Sequence, residues 1–138
     1  MTTEKAIQYL SSLRNVTRHD LPSLGLRRFL NFDQPFAVLC KEDNLHIKLP
    51  KNKILEYKTK CGDAMKDSTF YKSNRWAMVD LDKVSEPIFC DIVLVSYRQK
   101  FLSLSPLVRT IEFAQNTLHY NLRYDKILSE VKVVLTSD

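Results

Sequence analysis

Two kinds of side chain in this chain occur at spacings that suggest chemistry: cations and aromatic rings. Lys48, Lys51, Lys53, Lys58 and Lys60 follow one another closely, and Lys72 and Arg75 flank Tyr71 and Trp76. Arg27 and Arg28 stand side by side further upstream. Cations beside rings suit nucleic acid, because ammonium and guanidinium groups replace the counterions of phosphates while rings stack on bases. The candidate contact set is therefore Arg27, Arg28, Lys48, Lys51, Lys53, Lys72 and Arg75. The same residues also describe a solvated helix face and a tryptophan used only for packing. A formal net charge of +5 agrees with an anionic partner and equally with plain solubility.

Other chemistries find less support. His19, His46 and His119 lie far apart, and no HExxH spacing joins any two of them. His19 next to Asp20 has the residue types of an acid–base pair. Asp80 and Asp82 have the spacing of a cation-binding carboxylate pair, but a strand-end turn explains them as well. GxSxG is absent. With only Gly25 and Gly62, the chain has no glycine-rich phosphate loop.

Cys40, Cys61 and Cys90 form no CxxC pair, so zinc-ribbon and thioredoxin chemistry are not expected. Cys40 and Cys90 sit in apolar surroundings. Cys61 is flanked by Lys58, Lys60 and Lys66, which could lower a thiol pKa. These observations predict no catalytic residue, no metal and no cofactor. They also suggest a reducing, cytoplasmic compartment. No signal-peptide pattern opens the chain and no apolar run is long enough for a membrane span.

The elements that must hold the cations can be read from periodicity. Thr2 and Thr3 before Glu4 are a helix start, and Ala6, Ile7, Leu10 and Leu13 continue it, predicting a helix over about 3–15. A loop from Asn15 to Leu26 follows, then a strand over Leu26–Phe32. Phe36–Cys40 is an apolar run. Lys41-Glu42-Asp43-Asn44 is a turn, and Leu45, Ile47 and Leu49 alternate with His46 and Lys48 as in a half-buried strand. This hairpin ends at Pro50 and puts Lys48, Lys51 and Lys53 at and just beyond that end.

Lys51–Lys60 reads as a short helix, 61–73 as polar irregular chain, and Arg75–Leu81 as a strand with Trp76, Met78 and Asp80 on one side. Ser85-Glu86-Pro87 is a helix opening, with Ile88, Ile92, Val95, Gln99 and Leu102 at helical spacing. Two more apolar stripes, 107–118 and 127–135, predict a helical extension, with a terminal strand over 131–136 as the alternative for the second.

In this order the segments resemble the MmcQ/YjbR-like family of small α+β proteins over about residues 5–100. The resemblance rests on Val16-Thr17, Pro22-Ser23, Gly25, Phe29, Phe36-Ala37, Leu45 to Pro50, Trp76, Val79-Asp80-Leu81, Val84 and Ser96-Tyr97-Arg98. The family pattern carries Gly-Gly-Lys where this chain has Asp33-Gln34-Pro35, and Trp where it has Leu24. The resemblance implies an antiparallel sheet packed by helices and a double-wing surface suggested for DNA binding. It brings no enzymatic activity.

The expectation is thus an α+β domain over 1–103 with a helical extension over 104–138. It would be a non-enzymatic DNA- or RNA-binding protein of low sequence specificity. The alternative is an interaction, assembly or inhibitor module that binds a protein partner or a second copy through 107–135.

Overall fold

The computed structural model describes residues 1–102. The helices expected over 107–118 and 127–135, and any partner surface on them, lie outside the described residues. Two compact units divide the chain, Met1–Ser96 and Tyr97–Asp138. The fold is α+β, with six antiparallel strands and three α-helices among the described residues.

The chain begins with α1 (Thr3–Ser12), capped by the Thr2 hydroxyl, which accepts from the Lys5 N–H at 3.2 Å. This bond satisfies one of the donors that a helix start leaves open. The helix stops short of residue 15, because Leu13 is already extended and Asn15 adopts a left-handed φ of 64°. Strands β1 (Val16–Leu21) and β2 (Leu26–Asn31) follow, joined through a tight turn at Pro22–Leu24.

The segment expected as a loop before Leu26 is thus largely a strand, paired with β2 from Val16↔Asn31 to Leu21↔Leu26. Periodicity hid it because β1 is an edge strand whose Thr17, Arg18, His19 and Asp20 are all exposed. Without a buried face a strand shows no alternation, and charged side chains on an edge discourage pairing with another chain.

The hairpin appears as expected, with β3 (Gln34–Leu39) and β4 (Asn44–Lys48). Its approach from β2 is a two-residue turn in which Phe32 and Asp33 both have positive φ, 50° and 63°. Such a turn matches the twist of the flanking strands and favours Asn-Gly. Asp33→Val should therefore cost about 1–2 kcal/mol in chemical denaturation, whereas Asp33→Gly should be neutral or stabilising.

After Pro50, α2 (Lys51–Cys61) buries Ile54 and Tyr57. The region expected to be irregular contains a second unforeseen strand, the three-residue β5 (Met65–Asp67), too short for a periodic signal. Strand β6 (Trp76–Asp80) then inserts between β4 and β5, giving the order β1-β2-β3-β4-β6-β5. Helix α3 spans Glu86–Leu102 and starts where Ser85 predicts, with the Phe89 N–H donating to the Ser85 carbonyl at 2.9 Å.

Register assigns each side chain to a face. Phe29, Ala37, Ile47 and Ala77 form one row across four strands, and Leu39, Leu45, Val79 and Met65 another. This face is the main core: Phe29, Ala37, Leu39, Leu45, Ile47 and Ala77 are fully buried, as are Ala6 and Leu10 of α1 and Phe89, Ile92 and Val93 of α3. The Tyr9 ring meets Phe89 edge-on at 6.1 Å, tying α1 to α3. Phe89, Ile92 and Val93 bury one stripe at helical spacing, so the β-branched run after Ser85 is a helix and not a strand.

The opposite face carries the row His19, Arg28, Val38, His46, Met78 and Lys66. His46, expected on the polar side of a half-buried strand, is only 3% exposed. The segment after β5 folds over it, so β4 is buried on both faces.

Candidate nucleic-acid interface

Four of the predicted cations come together at one end of the sheet, where β4 leaves and β6 enters. Lys48 is the cross-strand partner of Trp76, and the Leu49 N–H donates to the Arg75 carbonyl at 2.8 Å. Lys51 opens α2 two residues later, and Lys72 belongs to the loop that returns to Trp76. All four are exposed, and none forms an ion pair with a described residue. The acids Glu42, Asp43, Asp80 and Asp82 gather at the opposite end, where β3 turns into β4 and β6 finishes. Lys41, Lys83 and Arg27 stand among these acids, so charge is mixed there, whereas the Lys48–Arg75 end carries cations without ion-pair partners among the described residues, which raises its local potential.

Trp76 is 9% exposed, so the packing reading of this ring holds. Tyr71 lies on it in a stacked geometry, 3.9 Å between centroids and 20° between planes. Phe70 meets Tyr71 at 4.8 Å and His46 at 5.9 Å. The rings thus run from the cation cluster onto the sheet face, and the loop over residues 68–75 supplies two of them along with Lys72 and Arg75.

Ser68 holds this loop down. Its Oγ accepts from the backbone N–H groups of Phe70 and Tyr71 at 3.2 and 2.9 Å and lies 2.7 Å from His46 Nδ1. A hydroxyl has one proton and two lone pairs. With both lone pairs engaged, the Ser68 O–H donates to Nδ1, so His46 carries its proton on Nε2 and is neutral. Burial also pushes the His46 pKa below its ordinary value, partly opposed by the Glu42 carboxylate. Nothing in local sequence spacing announces this pair, since the two residues are 22 apart.

The remaining candidates are placed differently. Lys53 is bound to Glu56 at 3.2 Å on α2, and Glu56 also reaches Lys60 at 3.7 Å. Lys58 pairs with Asp67. Arg27 and Arg28 lie on opposite faces of β2: Arg27 is in the row of Asp20 and Leu39, and Arg28 in the row of His19 and Val38. They cannot act on one surface together. Arg28 shares the face of Lys48 and Trp76, with its Nε buried and without a hydrogen-bond partner among the described residues. Arg27 borders a polar hollow with Asp43 and Asp82 at the opposite end.

Three other chemistries find no support in the structure. His19 and Asp20 face opposite sides of β1, and Asp20 is taken by Arg18 at 2.8 Å, the bond that holds its carboxyl below the usual range. They form no acid–base pair. The Cys61 thiol is pushed up by burial, which outweighs Lys60, so the neighbouring lysines do not activate it. Asp80 accepts from the Asp82 N–H at 3.0 Å, a strand-end turn. No group of three His, Cys, Asp or Glu side chains suited to a metal occurs among the described residues. Among them, too, no helix is long and apolar enough to cross a membrane.

The fold and this end of the sheet define an α+β protein with a cation-bearing strand end. No family model, curated protein or solved structure matches the chain.

Proposed function

We propose that this is a non-enzymatic nucleic-acid-binding protein of low sequence specificity, in which Lys48, Lys51, Lys72 and Arg75 hold phosphates. One observation carries the reading: four exposed cations gather around the Tyr71–Trp76 stack with no carboxylate within ion-pair distance among the described residues. Cations placed to stabilise the fold are normally paired, whereas cations left unpaired together raise the local potential and await an anion. Arg28 extends the same face toward β2. Phosphate contacts carry no sequence information by themselves, hence the low specificity. The resemblance to the MmcQ/YjbR-like family, with its suggested DNA-binding surface, points the same way.

Titration of a labelled oligonucleotide at increasing salt tests it. Each of the four cations contributes about 0.7 to the salt slope on a single strand, so affinity should fall about 50-fold between roughly 50 and 200 mM salt. An affinity indifferent to salt, or no binding at low salt, sinks the proposal.

A further inference from the structure

Leu24, Leu55 and Phe70 are the large hydrophobic side chains left exposed among the described residues, and two of them line one cleft. Leu24 is 66% exposed and Phe70 48%. Leu26, Cys40, Lys41 and Glu42 complete the walls of this space of about 300 Å³. Exposed apolar side chains scattered singly need no explanation, but two that share a concavity mark a place for a ligand.

The cleft is connected to the cation cluster. Phe70 packs against Tyr71 at 4.8 Å, and Tyr71 stacks on Trp76 at 3.9 Å, beside Lys48 and Arg75. A chain whose phosphates rest on the cations is led along these rings to Phe70. There the surroundings change. The walls are mainly apolar, and Lys41 and Glu42 beside each other offset one another's charge, so the cleft offers a phosphate no net attraction and suits a group that is uncharged, flat and apolar on its faces.

We infer that the cleft between Phe70 and Leu24 receives an unpaired base, and hence that the nucleic acid bound is single-stranded. This rests on the proposed phosphate contacts. A duplex keeps its bases stacked and paired inside, where Phe70 cannot reach them, while a single strand can swing a base onto an aromatic ring. Stacking accepts every base, in keeping with low sequence specificity.

The test compares three probes of equal length at one salt concentration: an oligothymidylate of about 15 nucleotides, an abasic strand and a duplex, each with the unaltered protein and with Phe70→Ala. The oligothymidylate should bind at least about fivefold more tightly than the abasic strand, and Phe70→Ala should reduce it to the abasic level without changing abasic binding or the salt slope. Leu24→Ser, at the most exposed wall, should weaken the oligothymidylate in the same direction and stands in should Phe70→Ala lose its native circular dichroism. Equal binding of base-bearing and abasic strands, with both variants like the wild type and the salt slope intact, overturns the base cleft and leaves the phosphate contacts standing. No salt-dependent binding of any probe overturns both.

Discussion

Ser68→Ala is expected to destabilise the Met1–Ser96 unit by about 2–4 kcal/mol, a large effect for the loss of one hydroxyl. Three groups lose their partner at once: His46 Nδ1, buried beneath the loop, and the N–H groups of Phe70 and Tyr71. Each lost hydrogen bond costs about 1 kcal/mol, and leaving a buried acceptor unsatisfied costs about 1–3. Ser73→Ala is the matched control, since the Ser73 hydroxyl serves one exposed N–H, that of Arg75 at 3.2 Å. It should change stability by less than about 1 kcal/mol. Urea denaturation of both variants measures the difference, and a Ser68→Ala cost no larger than that of Ser73→Ala would show that Ser68 does not hold the loop.

The same pair makes stability depend on pH with a definite sign. In the unfolded chain an imidazole takes up its proton near pH 6.5. In the folded protein His46 resists, because burial disfavours its charge and its Nδ1 would have to donate to a hydroxyl whose lone pairs are already used. Above pH 6.5 both states are neutral at this site and the contribution is complete. As the pH falls below about 6.5 the unfolded chain binds the proton first, and stability drops by up to about 1.4 kcal/mol per pH unit until the folded value is passed. His46→Asn removes that part of the pH dependence while keeping an acceptor for Ser68. The loop carries Phe70, Tyr71, Lys72 and Arg75, so acid that loosens it would also loosen the proposed interface.

The second large effect concerns binding. Lys48→Glu combined with Arg75→Glu should lower affinity for a single strand at about 50 mM salt by more than tenfold and reduce the salt slope by about 1.4, or 0.7 for each cation removed. Neither side chain has an ion-pair partner among the described residues, so folding should change by less than about 0.5 kcal/mol. Lys53→Glu and Arg27→Glu provide the contrast. Lys53 is already neutralised by Glu56, and Arg27 sits on the other face at the opposite end. Both should leave affinity within about threefold, since a charge screened or far from the phosphates adds little. Equal losses from all of these changes would mean that net charge, and not this strand end, attracts the nucleic acid.

The elements with at least one buried face were legible in the chain. The alternation of Leu45, Ile47 and Leu49 marked β4, the apolar run Phe36–Leu39 marked β3, and Ser85-Glu86-Pro87 marked the start of α3. The strands missed lacked that signal: β1 is exposed on both sides and β5 has three residues. For the candidate site, Lys48, Lys51, Lys72 and Arg75 could be nominated from residue type, but Arg27 was grouped with Arg28 although strand alternation separates them. Phe70 stands in the segment read as polar and irregular, where no period marks it. Its exposure depends on which loop covers which face.

By itself the sequence determined the inventory and the local periods: a basic chain without catalytic spacing, a hairpin ended by Pro50, and helices opened by capping residues. Those follow from interactions between neighbours a few residues apart. Only the tertiary structure decided that β6 lies between β4 and β5, that the 68–75 loop buries His46 under Ser68, and that Lys48 and Arg75 meet at one strand end while Asp43 and Asp80 meet at the other. These depend on strand order and on contacts between distant residues, and no local period encodes which partner a strand will choose.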